Sequence, residues 1–506
     1  VWELLTAPEP HPPLYYLLLK LWMTVFGQGE FVVRSLSALI GTGAVVAVYF
    51  LCKELFGRLG GYAGAALMAL STFNVHASQT ARMYEPLVFF TIVSLYFMLR
   101  ALDQGKYTYY ILYVLSALCV LFTHLFGGFV ILAQNLYVCG TLLTNKDHRW
   151  VYLKRWLAVE LPVSLLYGAF LVTVLRSQLL AKASGASKAS WISFPTFDYL
   201  QQGLLAVAGA PFQYPITDFS TFSIVLSRVF LAFAAMAIIV GTIRYEHRGN
   251  DAESAFSAIR LSGAGGRGKL LGISLLVCCV FLPFVLSFYV TPIFIIRYLA
   301  PATVGMIILI AGCIATIRSD SVRITLILGL IISSAALVGA YHQTPTTENW
   351  RAASGHIDSG DSTDALVIVE PAWVRKSLTY YDLPAGAKVV NSPRRSDSVP
   401  TDASGVPSRT IETHDTVYIV QRRPAAVDSL IETIEPTHRK AGRRDFGVVT
   451  VYKYIRQESP PDKTTIFEQR ENPAVHAGRG CHPTYFTHPR GFGRCGCRQN
   501  SSISGC

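Results

Sequence analysis

Two short polar stretches in an otherwise greasy chain carry the residues best able to do chemistry. The first is Glu9-Pro10-His11-Pro12-Pro13-Leu14-Tyr15-Tyr16 and the second is Ser78-Gln79-Thr80-Ala81-Arg82-Met83-Tyr84-Glu85. Arginine offers a planar fork of donors that matches a phosphate. Tyrosine can stack on a sugar ring or donate to one of its oxygens, and a carboxylate can serve as a general base. Arg82, Tyr84 and Glu85 therefore read as a phosphate ligand, a sugar contact and a base. Pro86 marks a helix start beside them, and a helix N-terminus favours anions in its own right. The competing reading is a plain Arg82–Glu85 pair at a membrane edge. In the first stretch, His11-Pro12-Pro13 ends one element and opens another. Taken alone it is an interfacial turn, with Tyr15, Tyr16 and Trp22 as belt aromatics.

Three more positions join these two stretches. Arg34 lies inside the outer end of an apolar run, where a charge is either functional or snorkelling to headgroups. His124 sits in a very short turn between two apolar runs and faces the same side as Arg82. Arg297-Tyr298 follows Thr291-Pro292 and opens another apolar run, which makes Arg297 either a second phosphate ligand or a membrane-edge arginine.

These residues must be positioned by membrane-spanning helices. The chain has 506 residues, of which 51% are hydrophobic and 15% charged, against about 25% charged in soluble proteins. Mean hydropathy is +0.38. A span needs about 20 apolar residues. Candidate spans are 31–51, 61–73, 86–102, 107–121, 127–143, 156–174, 222–243, 270–290, 300–317 and 324–341, preceded by an interfacial helix at 13–26. One set of loops holds Lys53, Arg58, Arg100, Lys106, Lys146, Arg149, Lys154, Arg155, Arg244, Arg248, Arg260, Arg267, Lys269, Arg318 and Arg323. The other holds Arg82, Arg176, Lys182, Lys188 and Arg297. The basic excess marks the first set as cytoplasmic and places both polar stretches on the extracytoplasmic side. The net charge of +12 is thus an orientation signal rather than a nucleic-acid footprint.

Residues 343–456 change character. Strands are expected at 365–369, 388–390, 416–421 and 447–454, and helices at 373–380 and 425–434, which reads as a small extracytoplasmic α/β domain. Residues 457–506 are rich in Pro, Gly, Arg, His and Cys without periodicity and read as a disordered tail, since Cys481, His482, His488, Cys495 and Cys497 match no standard zinc spacing. No P-loop or dinucleotide fingerprint is present. The chain opens on Val1 and is read as lacking an N-terminal segment.

Taken together, the motifs resemble a known family. The order His11-Pro12-Pro13-Leu14-Tyr15-Tyr16, Phe26-Gly27, Glu30-Phe31 with Arg34, Leu55-Phe56-Gly57, and Ser78-Gln79 with Arg82-Met83-Tyr84 is similar to the GT-C membrane glycosyltransferases. It resembles specifically the branch related to protein O-mannosyltransferases, with the rhizobial core galacturonosyltransferases and the lipid A aminoarabinose transferase as close relatives in pattern. The resemblance implies a GT-C-like bundle over residues 1–342, with the small α/β domain appended. It implies an enzyme that moves a sugar from a polyprenyl phosphate, dolichyl- or undecaprenyl-type, to a protein, lipid or glycan acceptor on the extracytoplasmic face, with inversion. Arg82 and Arg297 would assist the departing phosphate, and His11, Tyr15, Arg34, Tyr84, His124 and Tyr298 would line the substrate site. The family's principal carboxylate is an Asp upstream of His-Pro-Pro. This chain has only Glu3 and Glu9 there, so Glu9 and Glu85 stand as the catalytic candidates and the usual Asp is expected in a missing segment. No metal ligand is assigned, and a divalent ion is left open. The alternative is a lipid or solute transporter, which should show inverted repeats and broken midplane helices. A third reading is a sugar-binding membrane scaffold.

Overall fold

The computed structural model describes residues 12–144, 149–183, 194–209, 221–246, 264–289, 292–343, 348–358, 365–381, 383–384, 386–392, 408–422 and 427–457. Glu9, His11 and the tail lie outside these residues. The chain is a multi-pass helical membrane protein with a C-terminal sheet domain. Among the described residues six helices are long and apolar enough to cross a membrane: Glu30–Ala69, Tyr84–Gln104, Leu153–Thr173, Gly266–Tyr289, Ile296–Thr316 and Asp320–His342. Five of the ten expected spans are represented by shorter or merged helices. Tyr107–Thr123, Gly127–Leu143 and Val225–Ile239 are apolar but short. The first two expected spans fuse into one run, α2 (Glu30–Ala69), which breaks at Gly57 with φ +79°. Glycine takes that left-handed value without a Cβ clash, so the run is two arms joined by a sharp turn. The expected interfacial helix is α1 (Leu14–Phe26).

A short helix, α3 (Thr72–Gln79), stands where a loop was expected. It leads into α4 (Tyr84–Gln104), α5 (Tyr107–Thr123), α6 (Gly127–Thr144) and α7 (Arg149–Ala183). In hydrocarbon every polar group must find a partner inside the protein. The Tyr113 hydroxyl of α5 accordingly bonds Glu160 of α7 and, at 3.0 Å, Gln134 of α6, whose amide donates to Ser94 of α4 at 2.8 Å. All four residues are buried. The later helices are α8 (Phe197–Val207), α9 (Thr221–Glu246), α10 (Ala264–Leu276), α11 (Leu282–Tyr289), α12 (Ala300–Thr316) and α13 (Asp320–Gln343). A π-helical turn, Val277–Phe281, joins α10 to α11. Helices α10 and α12 approach at Gly272 and Gly305, where a Cβ on either would stand 2.9 Å from the other's carbonyl oxygen. Small residues at membrane helix contacts permit such close backbones.

The C-terminal domain follows α13 in the chain. Its sheet has the order β2-β1-β3-β5-β4, with β1 (Ala365–Glu370), β2 (Lys388–Asn391), β3 (Thr416–Arg422), β4 (His438–Phe446) and β5 (Val449–Arg456). Strand β1 pairs in parallel with β2 and β3, while β5 pairs antiparallel with β3 and β4. Helices α14 (Trp350–Asp358) and α15 (Arg375–Leu378) cover one face, packing on Val367, Val369 and Val420. Helices α16 (Ser408–Glu412) and α17 (Asp428–Ile434) cover the other, packing on Leu366, Ile368 and Ile419. Strands covered on both faces read as unbroken apolar runs, which is why β1 and β3 were legible in the sequence. Strand β4 was not. It is an open edge of charged residues, the usual guard against edge-to-edge pairing.

The domain is docked on the bundle through Glu30 at the start of α2. Arg351 meets Glu30 at 3.0 Å, the Tyr381 hydroxyl donates to it at 3.3 Å, and the Tyr380 hydroxyl donates to the Gln28 carbonyl at 2.9 Å. Burial and then the Glu30 carboxylate raise the pKa of the Tyr381 hydroxyl, which keeps it a donor.

Candidate functional site

The turn between α3 and α4 builds the centre of the site. Thr80 caps α3 by donating to the Ala77 carbonyl at 3.0 Å, and the Arg82 amide bonds the Thr80 carbonyl at 2.8 Å. This tight turn leaves the Arg82 side chain exposed, and among the described residues no carboxylate pairs with it. Helix α3 is itself braced. Thr72 donates to the Gly209 carbonyl at 2.7 Å, and the His76 ring bonds the Tyr341 hydroxyl of α13 at 3.0 Å. Burial pushes the His76 pKa down to about 4, so the ring is neutral at pH 7.

A second arm comes from the segment before α12. The Ser287 hydroxyl of α11 accepts from the amides of Ile293 and Phe294 at 3.1 and 3.0 Å, folding that segment back. Phe294 and Leu299 settle against Gly203 of α8, where a Cβ would meet them at 3.2 and 2.9 Å. The following 3-10 turn, Ile296–Leu299, presents Arg297 and Tyr298. The Arg297 guanidinium lies 5.5 Å from the centre of the Tyr298 ring.

A third arm is the α5–α6 corner. His124 ends α5, and its Nδ1 accepts from the Phe126 amide at 3.0 Å, which leaves Nε2 to carry the proton of a neutral ring. The three arms meet as a box of rings. His124 and Tyr298 are 4.7 Å apart, Tyr84 and His124 6.0 Å, Tyr84 and Tyr298 6.1 Å, and Phe126 and Tyr298 5.2 Å. Tyr84 is within electrostatic reach of Arg297, Arg82 and Tyr16, and Tyr15 is within reach of Arg82. Six of the residues singled out in the sequence therefore come together: Tyr15, Arg82, Tyr84, His124, Arg297 and Tyr298. Phe126 was not singled out; its apolar type gave no signal beyond its place two residues after His124.

Two expected residues stand elsewhere. Arg34 pairs with Glu30 at 2.8 Å beside the C-terminal domain, so it belongs to the docking contact rather than to the ring box. Glu85 neither pairs with Arg82 nor faces the opening. It is fully buried, and its Oε1 lies 3.3 Å from where a Cβ on Gly41 would stand, with Ser78 on the same side. The reason is helical geometry. Successive residues are about 100° apart, so Tyr84 turns to the ring box while Glu85 turns to α2. Neither carboxylate oxygen of Glu85 has a hydrogen-bond partner among the described residues. Among those residues no group of three or more His, Cys, Asp or Glu is placed to hold a metal ion.

Residues 10–173 match the family model described as dolichyl-phosphate-mannose-protein mannosyltransferase. That segment holds α1–α6, most of α7, and all of the site except its Arg297–Tyr298 arm. A protein of Bacillus subtilis (strain 168), YkcB, whose name carries a provisional mannosyltransferase assignment, is 28% identical over 95 residues. The alignment takes in 19% of this chain and 13% of that relative's length. Among solved structures, ArnT from Cupriavidus metallidurans in the apo state aligns at TM-score 0.43 and 12% identity over 87% of each chain. The Archaeoglobus fulgidus oligosaccharyltransferase in complex with Zn and sulfate aligns at TM-score 0.47 and 13% identity, over 82% of this chain and 59% of that one. The similarity to the mannosyltransferase family model thus lies in the N-terminal third of the chain, residues 10–173.

Proposed function

We propose that this protein transfers a sugar from a polyprenyl-phosphate donor to an acceptor hydroxyl at the extracytoplasmic membrane surface, with inversion at the anomeric carbon. The observation that carries the reading is the exposed Arg82, without an acidic partner among the described residues, at the same end of the bundle as Arg297 and the ring box. A cation left without a protein counterion beside a membrane is suited to an anionic lipid headgroup. The donor's isoprenoid chain would stay in the bilayer while its phosphodiester reached the two guanidinium groups.

In the reaction the acceptor oxygen forms a bond to the anomeric carbon as the bond from that carbon to the phosphate oxygen breaks. The electron pair leaves on the polyprenyl phosphate, whose growing charge Arg82 and Arg297 stabilise. The acceptor's proton passes to a base. Glu9 is the candidate base in this chain, and Glu85 is too deeply buried to serve. Tyr298, the more exposed ring, would meet the sugar, with the buried Tyr84 and His124 rings packed behind it. The match of residues 10–173 to a mannosyltransferase family supports a hexose donor, and ArnT is known with undecaprenyl phosphate bound.

The test is transfer of radiolabelled sugar from polyprenyl phosphate by the full-length protein. Arg82→Ala should lose most of the transfer. Unchanged transfer in that variant would remove Arg82 from the site and with it the donor reading.

A further inference from the structure

The C-terminal domain has a topological feature unrelated to the ring box. After β1 the chain passes to α15 on one face of the sheet, whereas after β3 the next helix, α17, lies on the other face. In open α/β sheets, connections that part to opposite faces leave a crevice at the carboxyl ends of the adjacent strands, and ligands favour that crevice. Here the adjacent strands are β1 and β3, with Glu370 in register with Gln421.

The residues at this point form a platform. Trp373, three residues beyond the end of β1, is 59% exposed, unusual for so large an apolar ring on a water-facing domain. One side of its ring is taken by the Arg422 guanidinium at 5.0 Å. Arg422 is itself fixed by Glu348 at 2.5 Å, and Glu348 accepts from Trp350 Nε1 at 2.7 Å. A cation held against one ring face stiffens the indole. Glu348 supplies a carboxylate beside it through its pair with Arg422. A pyranose offers an apolar face of C–H groups and a rim of hydroxyls, so a fixed aromatic ring flanked by carboxylate and guanidinium groups suits it.

We infer that Trp373, with Arg422 and Glu348, forms a saccharide-binding platform at the β1–β3 crevice. Seven residues on from Trp373, Tyr380 touches Gln28 of the membrane bundle, so the platform stands at the docked end of the domain. Its service as the seat of a glycan acceptor rests on the sugar-transfer reading, whereas saccharide binding as such does not.

The experiment probes the full chain in lipid nanodiscs on an array of neutral, amino-substituted and uronate-containing hexose oligosaccharides. Retention of a subset of glycans is expected, falling at least tenfold in Trp373→Ala, preserved in Trp373→Tyr and unchanged in Arg82→Ala. Loss in Arg82→Ala with no effect of Trp373→Ala would assign the binding to the ring box and overturn the platform. A blank array would overturn it as well. A companion measurement uses nanodiscs of brominated lipid. Quenching of the fluorescence lost in Trp373→Phe would show the indole in the bilayer and replace the platform with a membrane anchor.

Discussion

The two ends of the helical bundle treat their arginines differently. At the end away from the C-terminal domain, Arg100 meets Glu54 at 3.2 Å and Arg267 meets Asp103 at 2.8 Å while also bonding the Tyr137 hydroxyl at 3.2 Å. Arg323 pairs with Asp320 near the same end. At the domain-bearing end Arg34 is paired too, with Glu30, but Arg82 has no acidic partner among the described residues and Arg297 stands over a tyrosine ring. A paired arginine at a membrane edge fixes helices and orientation. One whose charge the described protein leaves unanswered is poised for an anion from outside. The comparison separates arginines with an acidic partner from Arg82, which has none among the described residues.

The largest expected effect follows from that contrast. Replacing Arg82 with Ala should lower sugar transfer by about 10²–10³, the usual cost of removing one donor to developing charge, with no loss of thermal stability. Arg267→Ala should do the reverse, leaving transfer per folded molecule intact. Its destabilisation should be no more than about 1 kcal/mol, because the pair is partly solvated. Equal losses of transfer in the two variants would erase the distinction between the ends.

A steric test comes next in size. Gly41→Ala would put a Cβ 2.7 Å from that of Ser78 and 3.3 Å from Glu85. Overpacking of this kind costs about 1–3 kcal/mol. The melting temperature should fall, and transfer should fall with it because the α3–α4 turn carries Arg82. Glu85→Gln, nearly the same in shape, should leave transfer intact if Glu85 plays no chemical part. A loss as large as that of Arg82→Ala would return it to the reaction.

The smallest effect concerns pH. The His76 pKa is depressed to about 4 by burial, against about 6.5 in the unfolded chain. The unfolded chain therefore binds the extra proton between those values, and stability falls as pH drops from about 6.5 towards 4. Thermal unfolding of the wild type should be more acid-sensitive over that window than that of His76→Gln. Equal slopes would show that the ring is not held neutral.

Much of this arrangement could be read from the sequence because each site residue lies at a span end. Arg82, Tyr84, His124, Arg297 and Tyr298 all flank apolar runs on one side of an alternating pattern, so hydropathy alone placed them together. What it could not give is rotation about a helix. Glu85 follows Tyr84 directly yet faces Gly41, and Arg34 lies one turn from Glu30 and is claimed by it. The break at Gly57 was legible, because Lys53 and Arg58 separate the apolar runs 31–51 and 61–73. In the C-terminal domain, β1 and β3 announced themselves by apolar runs. The charged β4 has no alternation to detect, and the platform at Trp373 depends on strand order, which no local pattern encodes.

The central claim is that Arg82 holds the donor phosphate. Binding of radiolabelled polyprenyl phosphate to the purified full-length protein tests it most directly, with no need to know the sugar or the acceptor. Arg82→Ala should weaken binding at least tenfold while Arg267→Ala binds as the wild type does. Equal affinity in all three proteins would contradict the account.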